Sequence, residues 1–542
     1  MELRRSGLIE GRRWLAPVGC IVSLLVLLAP AGALGATPTR TFVSGRWRSS
    51  TAAFNSTRPK GQARVVPREW RKQGYLVPRP ARYERAKRHA QEGTPASGAE
   101  ESPKRLLSTS RRWVGIRDPW STPPDTTDAV GPTRYVELVN TKFAIYNRHD
   151  DAPISAASLR YLINARRSDF ITDPQVIWDP STRRFYYAAL DFTGPRHHYI
   201  ALGFSRGASP NRARDWCKYA GDYGRYVPDF PKLGDTKDFV LIGLNTFLGQ
   251  RYVGSDVVWS SKPRAGSRCP RSLRGGTKID LKNANGSPAF TPVPANQIDD
   301  SRKGWVLATP APRLASLDHF SLFRVRRNAN GSAAIQTFAR DVSVGSYETP
   351  GNAPQLGSTK RIDTLDGRLT QAVSAIDPSR PPGERTALWT QHTVQGGAGS
   401  EVRWYEIDPG AGALFQSGSV TDPSLHVFNG AVAPDRAVNG ASRAYGSDMV
   451  LNFNTSSAST EPDIRVVSKV GSNPQSPPVV IKTSPDPLLE PGCRSVCRWG
   501  DYPGASPDPT PPSGSPQVWM ANQWVSSASG FNWRTMNFIV SP

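Results

Sequence analysis

Asp173-Pro-Gln-Val-Ile-Trp178, Phe185-Tyr-Tyr-Ala-Ala-Leu190 and Tyr199-Ile-Ala-Leu-Gly-Phe204 follow one another closely in the chain. Each is a short run of β-branched and aromatic residues bounded by Gly, Pro, Asn or Asp, the signature of strands joined by turns. No long amphipathic period separates them, which disfavours a parallel sheet built from strand-helix-strand units. A polar turn carrying Asp opens the group, an apolar strand follows, and a more exposed strand closes it.

The same order recurs on both sides of this stretch. Tyr135 to Tyr146 precedes it. Phe239 to Asn245 with Ser255 to Ser260, Trp305 to Ala308 with His319 to Val325, Thr386 to Thr393 with Glu401 to Ile407, Asp448 to Asn454 with Asp463 to Val467, and Gln517 to Asn522 with Trp533 to Ile539 follow it. Asp125, Asp173, Asp229, Asp366 and Asp501 stand in the opening turns. Repetition at roughly 60 residues with loops of varying length is the pattern of a β-propeller built from four-stranded blades. A lone blade cannot bury both faces, whereas radial stacking buries each against its neighbour. The expected fold class is all-β, a propeller of seven blades with six as the alternative, over residues 113–542.

Composition agrees. The 542 residues include 47 Gly and 49 Pro, a load of turn-forming residues poorly suited to long helices, while 38% hydrophobic content suffices for a core. The net charge of +23 is concentrated near the start of the chain. Residues 37–112 hold 18 Arg and Lys against 5 acidic residues and few apolar anchors, so they read as a basic, mostly disordered linker, with a short helix suggested around Arg82 to Gln91. Ahead of it, Arg4, Arg5, Arg12 and Arg13, the apolar run Trp14 to Leu28 and Ala31-Gly-Ala-Leu-Gly-Ala36 have the order of a secretory signal peptide over 1–36, with an uncleaved anchor as the alternative. The mature protein is then expected outside the cell, with no membrane span. In that oxidising setting Cys217, Cys269, Cys493 and Cys497 suggest two disulfides; Cys217 with Cys269 and Cys493 with Cys497 is the favoured pairing, since each then staples one local region.

Several segments carry a family resemblance. Pro123-Pro-Asp-Thr-Thr-Asp-Ala-Val-Gly-Pro132, Asp173-Pro-Gln-Val176, Asp229-Phe-Pro-Lys-Leu-Gly234, Arg403-Trp-Tyr-Glu406 and Arg498-Trp-Gly-Asp-Tyr502 resemble, in the same order, a group of secreted bacterial β-propeller proteins of sialidase-like appearance. The resemblance spans most of 120–540. It implies architecture and export, and it implies no settled activity.

The chemistry is less legible. Asp boxes of the Ser-x-Asp-x-Gly-x-x-Trp form are missing; Ser506-Pro-Asp508 lacks the Gly and the Trp. Gly203-Phe-Ser-Arg-Gly207 matches a hydrolase elbow by composition alone, without the strand-to-helix setting an elbow needs, and Ser205 reads as a strand end. His197-His198 points to opposite faces of a strand, and no metal-ligating spacing appears. What remains is the set of blade-opening carboxylates, which such a fold would gather at one mouth of its central channel, although each could equally cap its own turn. Asp173, Asp229, Asp366 and Asp501 are therefore candidate ligand-binding residues. Arg498 and Tyr502, held by the Cys493–Cys497 loop, join them because guanidinium and aromatic groups suit glycan recognition. Lys232, beside Asp229, is a further candidate.

The expected function is binding of an extracellular ligand, a carbohydrate or an anionic cell-envelope polymer, by a monomer. The alternatives are a sialidase-like glycoside hydrolase or a polysaccharide lyase using paired carboxylates, and a cell-envelope scaffold attached through the basic arm. A non-catalytic role is favoured over an enzyme. No cofactor is expected, with calcium in the channel left open, and nucleic acid is disfavoured because no base-reading module is present.

Overall fold

In a computed structural model of the chain, the residues described are 46–49, 76–92, 107–119, 121–194, 197–299, 301–312, 316–436, 446–490, 493–512, 515–527 and 532–542. The proposed signal peptide lies outside them. Thr41–Pro542 forms one compact unit.

The strands run as antiparallel meanders. Phe170–Asp179, Arg184–Gly194, His197–Ser205 and Trp216–Gly224 pair in sequence, and so do Val227–Asp235, Phe239–Leu248, Arg251–Ser261 and Ser272–Lys278. The inner strands are buried on both faces: Arg184 to Phe192 and Phe239 to Phe247 hold no exposed residue. The outermost strand Ala413–Val420 instead alternates between exposed and half-buried residues. A sheet whose centre is covered on both faces and whose margin is wet is stacked between two others, which is why the continuous apolar runs of the sequence coexist with antiparallel pairing.

The first strands of the meanders stand side by side around an axis. Thr127–Val130 touches Phe170–Asp179, and contact passes in turn to Val227–Asp235, Ala289–Pro294, Leu369–Ile376, His426–Pro434 and Gly504–Pro507, which returns to Thr127–Val130. At the closure Ser506 Oγ donates to the Asp128 carbonyl at 2.9 Å. The fold is a β-propeller. Its last sheet, opened by Gly504–Pro507, is completed at the outer edge by Ser108–Val114, paired antiparallel with Trp533–Ser541, so the segment just ahead of the first blade and the last strand share one sheet.

Four of these first strands set a pair of residues against a single partner residue near their start, at Asp173-Pro174, Phe230-Pro231, Thr291-Pro292 and Asn429-Gly430, where the strand register shifts. The first residue of each pair has a positive φ, 53° at Asp173, 53° at Phe230, 51° at Thr291 and 53° at Asn429. Such bulges turn a side chain out of the pleat and recur beside functional sites. Pro or Gly as the second residue suits them, because the ladder bond is already broken there.

The stretch expected as a linker contributes three packed segments. Arg46–Ser49 inserts between Trp216–Gly224 and Ser272–Lys278 and buries Trp47 completely, its Nε1 donating to the Trp259 carbonyl at 3.1 Å. Pro80–Glu92 is the helix suggested by sequence. Ser108–Val114 crosses the domain start placed at 113, and its Trp113 packs on Tyr135, Tyr146 and Trp519. Single aromatic anchors among arginines, without alternation, left these strands unreadable from the sequence. Both disulfides form in the favoured pairing, Cys217–Cys269 and Cys493–Cys497. Ser205 ends its strand as expected: its Oγ donates to the Gly207 carbonyl and accepts from the Phe185 N–H, so it is spent on structure.

Candidate functional site

The opening turns of the first strands face one another at one end of the channel. Asp125 stands before Thr127–Val130, Asp173 in the bulge of the next first strand, Asp229 beside the bulge of the third, Asp366 just before Leu369–Ile376 and Asp501 just before Gly504–Pro507. Because first strands run in one sense around the ring, residues at their starts share one mouth.

Contacts tie these turns together across sheets. The Asp501 N–H donates to Asp125 Oδ1 at 2.7 Å. Asn140 bridges to the next sheet, its Nδ2 donating to Asp125 Oδ2 at 2.6 Å while its Oδ1 accepts from the Asp173 N–H at 2.7 Å. Arg498 pairs with Asp501 and lies 3.8 Å from Asp363. Arg368 grips Asp366 with two donors, at 2.7 and 2.9 Å, and approaches Asp229 to 3.9 Å. Asp366 also accepts from the Arg368 N–H, so it combines the turn-capping role with the bridge. Lys232 Nζ sits 3.2 Å over the Tyr502 ring and 4.1 Å from that of Phe230, and the two rings meet edge to face.

Burial and crowding of like charges shift these groups. Asp125 is held well above the usual carboxylate range by burial, then by Asp501 and Asp173. Asp173 is pushed up to about 6 by burial and by Asp501. Asp229 rises to about 8, burial outweighing the pull of Arg368. Lys232 falls well below its ordinary value because burial overrides the attraction of Asp501, Asp125 and Asp173. Two polar atoms in this cluster, Lys232 Nζ and Asp229 Oδ2, are buried without a hydrogen-bond partner. A water or ligand atom placed between them would supply the missing hydrogen bonds. The Asp229 side chain keeps 16% exposure, and the cluster is reachable there.

The structure thus brings together all seven residues singled out from sequence, Asp173, Asp229, Lys232, Asp366, Arg498, Asp501 and Tyr502. It adds Asp363, Arg368, Phe230 and Asn140, and it draws in Asp125 from the opening turns. Arg368 was within reach, two residues after Asp366 and so able to fold back on it; Asn140 carried no signal. Tyr502 differs from expectation: it is 2% exposed with its face taken by Lys232, so it offers no open stacking platform. Among the described residues no group of three or more His, Cys, Asp and Glu is arranged to hold a metal ion, and no helix is long and apolar enough to cross a membrane.

One more element reaches the mouth. The helix Pro80–Glu92 sets Lys87 against it, with Nζ donating to Thr364 Oγ1 at 2.9 Å and lying 3.6 Å from Asp363. Tyr83 is half-buried one turn earlier, in the field of Asp363, Asp366 and Arg368.

No family model matches the chain, and no curated protein matches it in sequence. Among solved structures it is similar to the Dos1 propeller, at 11% identity over 80% of this chain and 95% of that one, with a TM-score of 0.36. It is also similar to the α-L-arabinanase of Penicillium chrysogenum, at 12% identity over 67% and 98%, TM-score 0.36. A third likeness is to the GH93 α-L-arabinofuranosidase of Fusarium graminearum, at 11% identity over 65% and 93%, TM-score 0.36. At these values the likenesses carry no argument about chemistry.

Proposed function

We propose that the chain is a secreted, seven-bladed propeller that binds a carbohydrate at the acidic mouth of its channel. What supports the reading is the convergence of Asp125, Asp173, Asp229 and Asp501 with Arg368 and Arg498 around two buried polar atoms that make no hydrogen bond. Carboxylates and guanidinium groups in fixed positions match the alternating hydroxyls of a sugar. Seven first strands contribute to the ring, and the paired cysteines fit an exported protein.

A second reading, glycoside hydrolysis, is favoured by one observation. Asp229 at about 8 and Asp173 at about 6 are both readily protonated, while Asp501 lies close to each. Carboxyl groups whose environments push their proton affinities apart are what acid and base assistance at a glycosidic bond requires. Titration of the mature protein with a panel of soluble glycans, repeated with Asp229→Asn and Asp501→Asn, tests both readings. Binding weakened about tenfold or more in both variants is the expected result. Unchanged affinity in both removes the mouth as the site. New reducing ends released by the wild type alone would favour the hydrolase.

A further inference from the structure

The helix Pro80–Glu92 docks on the mouth in an unusual way. Its buried side chains are Ala86, Lys87 and Ala90, so little apolar surface holds it in place. The attachments are polar instead: Lys87 to Thr364 and Asp363, and Gln395 Nε2 to the Ala90 carbonyl at 3.4 Å, with the Arg368 guanidinium donating to the Leu76 carbonyl at 3.3 Å just ahead of the helix. A lysine that is 2% exposed is rare, because an ammonium ion is seldom taken out of water without a seat built for it.

Burial lowers the Lys87 ammonium to about 8, while Asp363 and Asp366 pull the other way and favour its charged form. Arg368, Arg498 and Lys232 lie among Asp125, Asp173, Asp229, Asp363, Asp366 and Asp501. Lys87 is the additional positive group, and it comes from outside the blades. With the helix lifted away, Asp363 would lose the Lys87 ion pair and Thr364 Oγ1 its donor, and another ammonium group can take both contacts. Lys232 cannot shift to fill the gap, since it is enclosed between Tyr502 and Phe230.

We propose that Pro80–Glu92 occupies the ligand's place, its Lys87 ammonium standing in for an amine of the ligand, so that the mouth takes a glycan bearing free amino groups. This rests on the reading of the mouth as a carbohydrate site and names the class of sugar it takes. Asp363 and Thr364 receive the amine in place of Lys87, and the polar, reversible docking of the helix lets the ligand displace it.

Calorimetric titration with glucosamine oligomers and with their N-acetylated counterparts tests this. The proteins are the mature chain, Lys87→Ala, which empties the seat, Lys87→Arg, which keeps it filled, and Ala86→Pro, which breaks the helix. Each is first shown to unfold at a temperature above that of the assay. Glucosamine oligomers should bind Lys87→Ala and Ala86→Pro about tenfold more tightly than the wild type or Lys87→Arg. The N-acetylated oligomers, which carry no charge, should show no such gain. Equal affinity for both oligomers, or no gain in either helix variant, overturns the proposal. If a neutral glycan binds and Asp229→Asn abolishes that binding, the carbohydrate site stands and only the amine assignment falls. If no glycan binds any variant, both fall together.

Discussion

Asp229 shows how a single side chain records its surroundings. Its carboxyl is raised from 3.8 to about 8, with burial as the leading cause. A carboxyl that holds its proton more tightly when folded takes one up on folding between those two values, so its contribution to stability falls as pH rises from about 4 to about 8. Asn mimics the protonated form without titrating. The Asp229→Asn protein should therefore gain melting temperature over the wild type, with the gain widening from pH 4 to 8 and then levelling; a gain that shrinks over that range would contradict the shift. Arg368 is the opposite case. Its side chain is fully buried and held by Asp366, so Arg368→Ala leaves Asp366 and Asp229 uncompensated and should cost about 3–5 kcal/mol in denaturant unfolding. A loss below about 1 kcal/mol would mean that the bridge is solvated.

The strand Arg46–Ser49 makes its point at the next scale. Four residues join two sheets that otherwise end at Trp216–Gly224 and Ser272–Lys278, and the Cys217–Cys269 bridge links the same two edges. Trp47 is the anchor: a Cβ on Gly275 would come within 2.6 Å of its indole, so glycine there makes room for the ring. Trp47→Ala should cost about 3–5 kcal/mol, measured by denaturant unfolding, because the cavity it leaves between two sheets cannot collapse. A near-neutral result would show that the strand is docked by its backbone alone. The helix Pro80–Glu92 contrasts with it. That helix is tied by polar contacts, and local opening there should cost far less than opening the strand.

Closure belongs to the whole molecule. Ser108–Val114 seals the sheet that also holds Trp533–Ser541, and Gly504 lies so close to the first sheet that a Cβ there would clash with the Asp128 carboxylate. A ring fastened by its two ends loses neighbours on both sides of the seam when the fastening goes. Trp113→Ala, which loosens Ser108–Val114 and leaves Arg46–Ser49 and Pro80–Glu92 in place, should melt at a markedly lower temperature by scanning calorimetry, and it should weaken glycan binding as well, since Asp125 and Asp501 meet across that seam. An unchanged melting temperature would show that the ring closes through its first strands alone.

Strand content, repetition and the acidic openers were written in the sequence because they are local: β-branched runs, turn residues and an Asp at each start need only neighbours along the chain to be read. Cysteine count and spacing likewise allowed the two bridges. What the chain alone did not reveal is which distant groups share the mouth. Arg368 meets Asp229, Lys232 meets Tyr502 and Lys87 meets Asp363 only because sheets far apart in sequence are carried around one axis. The arm signalled its helix but not the docking, since a run of arginines and alanines looks the same free in water as it does against a buried carboxylate. Tertiary structure decided the burial, and burial decided the charge.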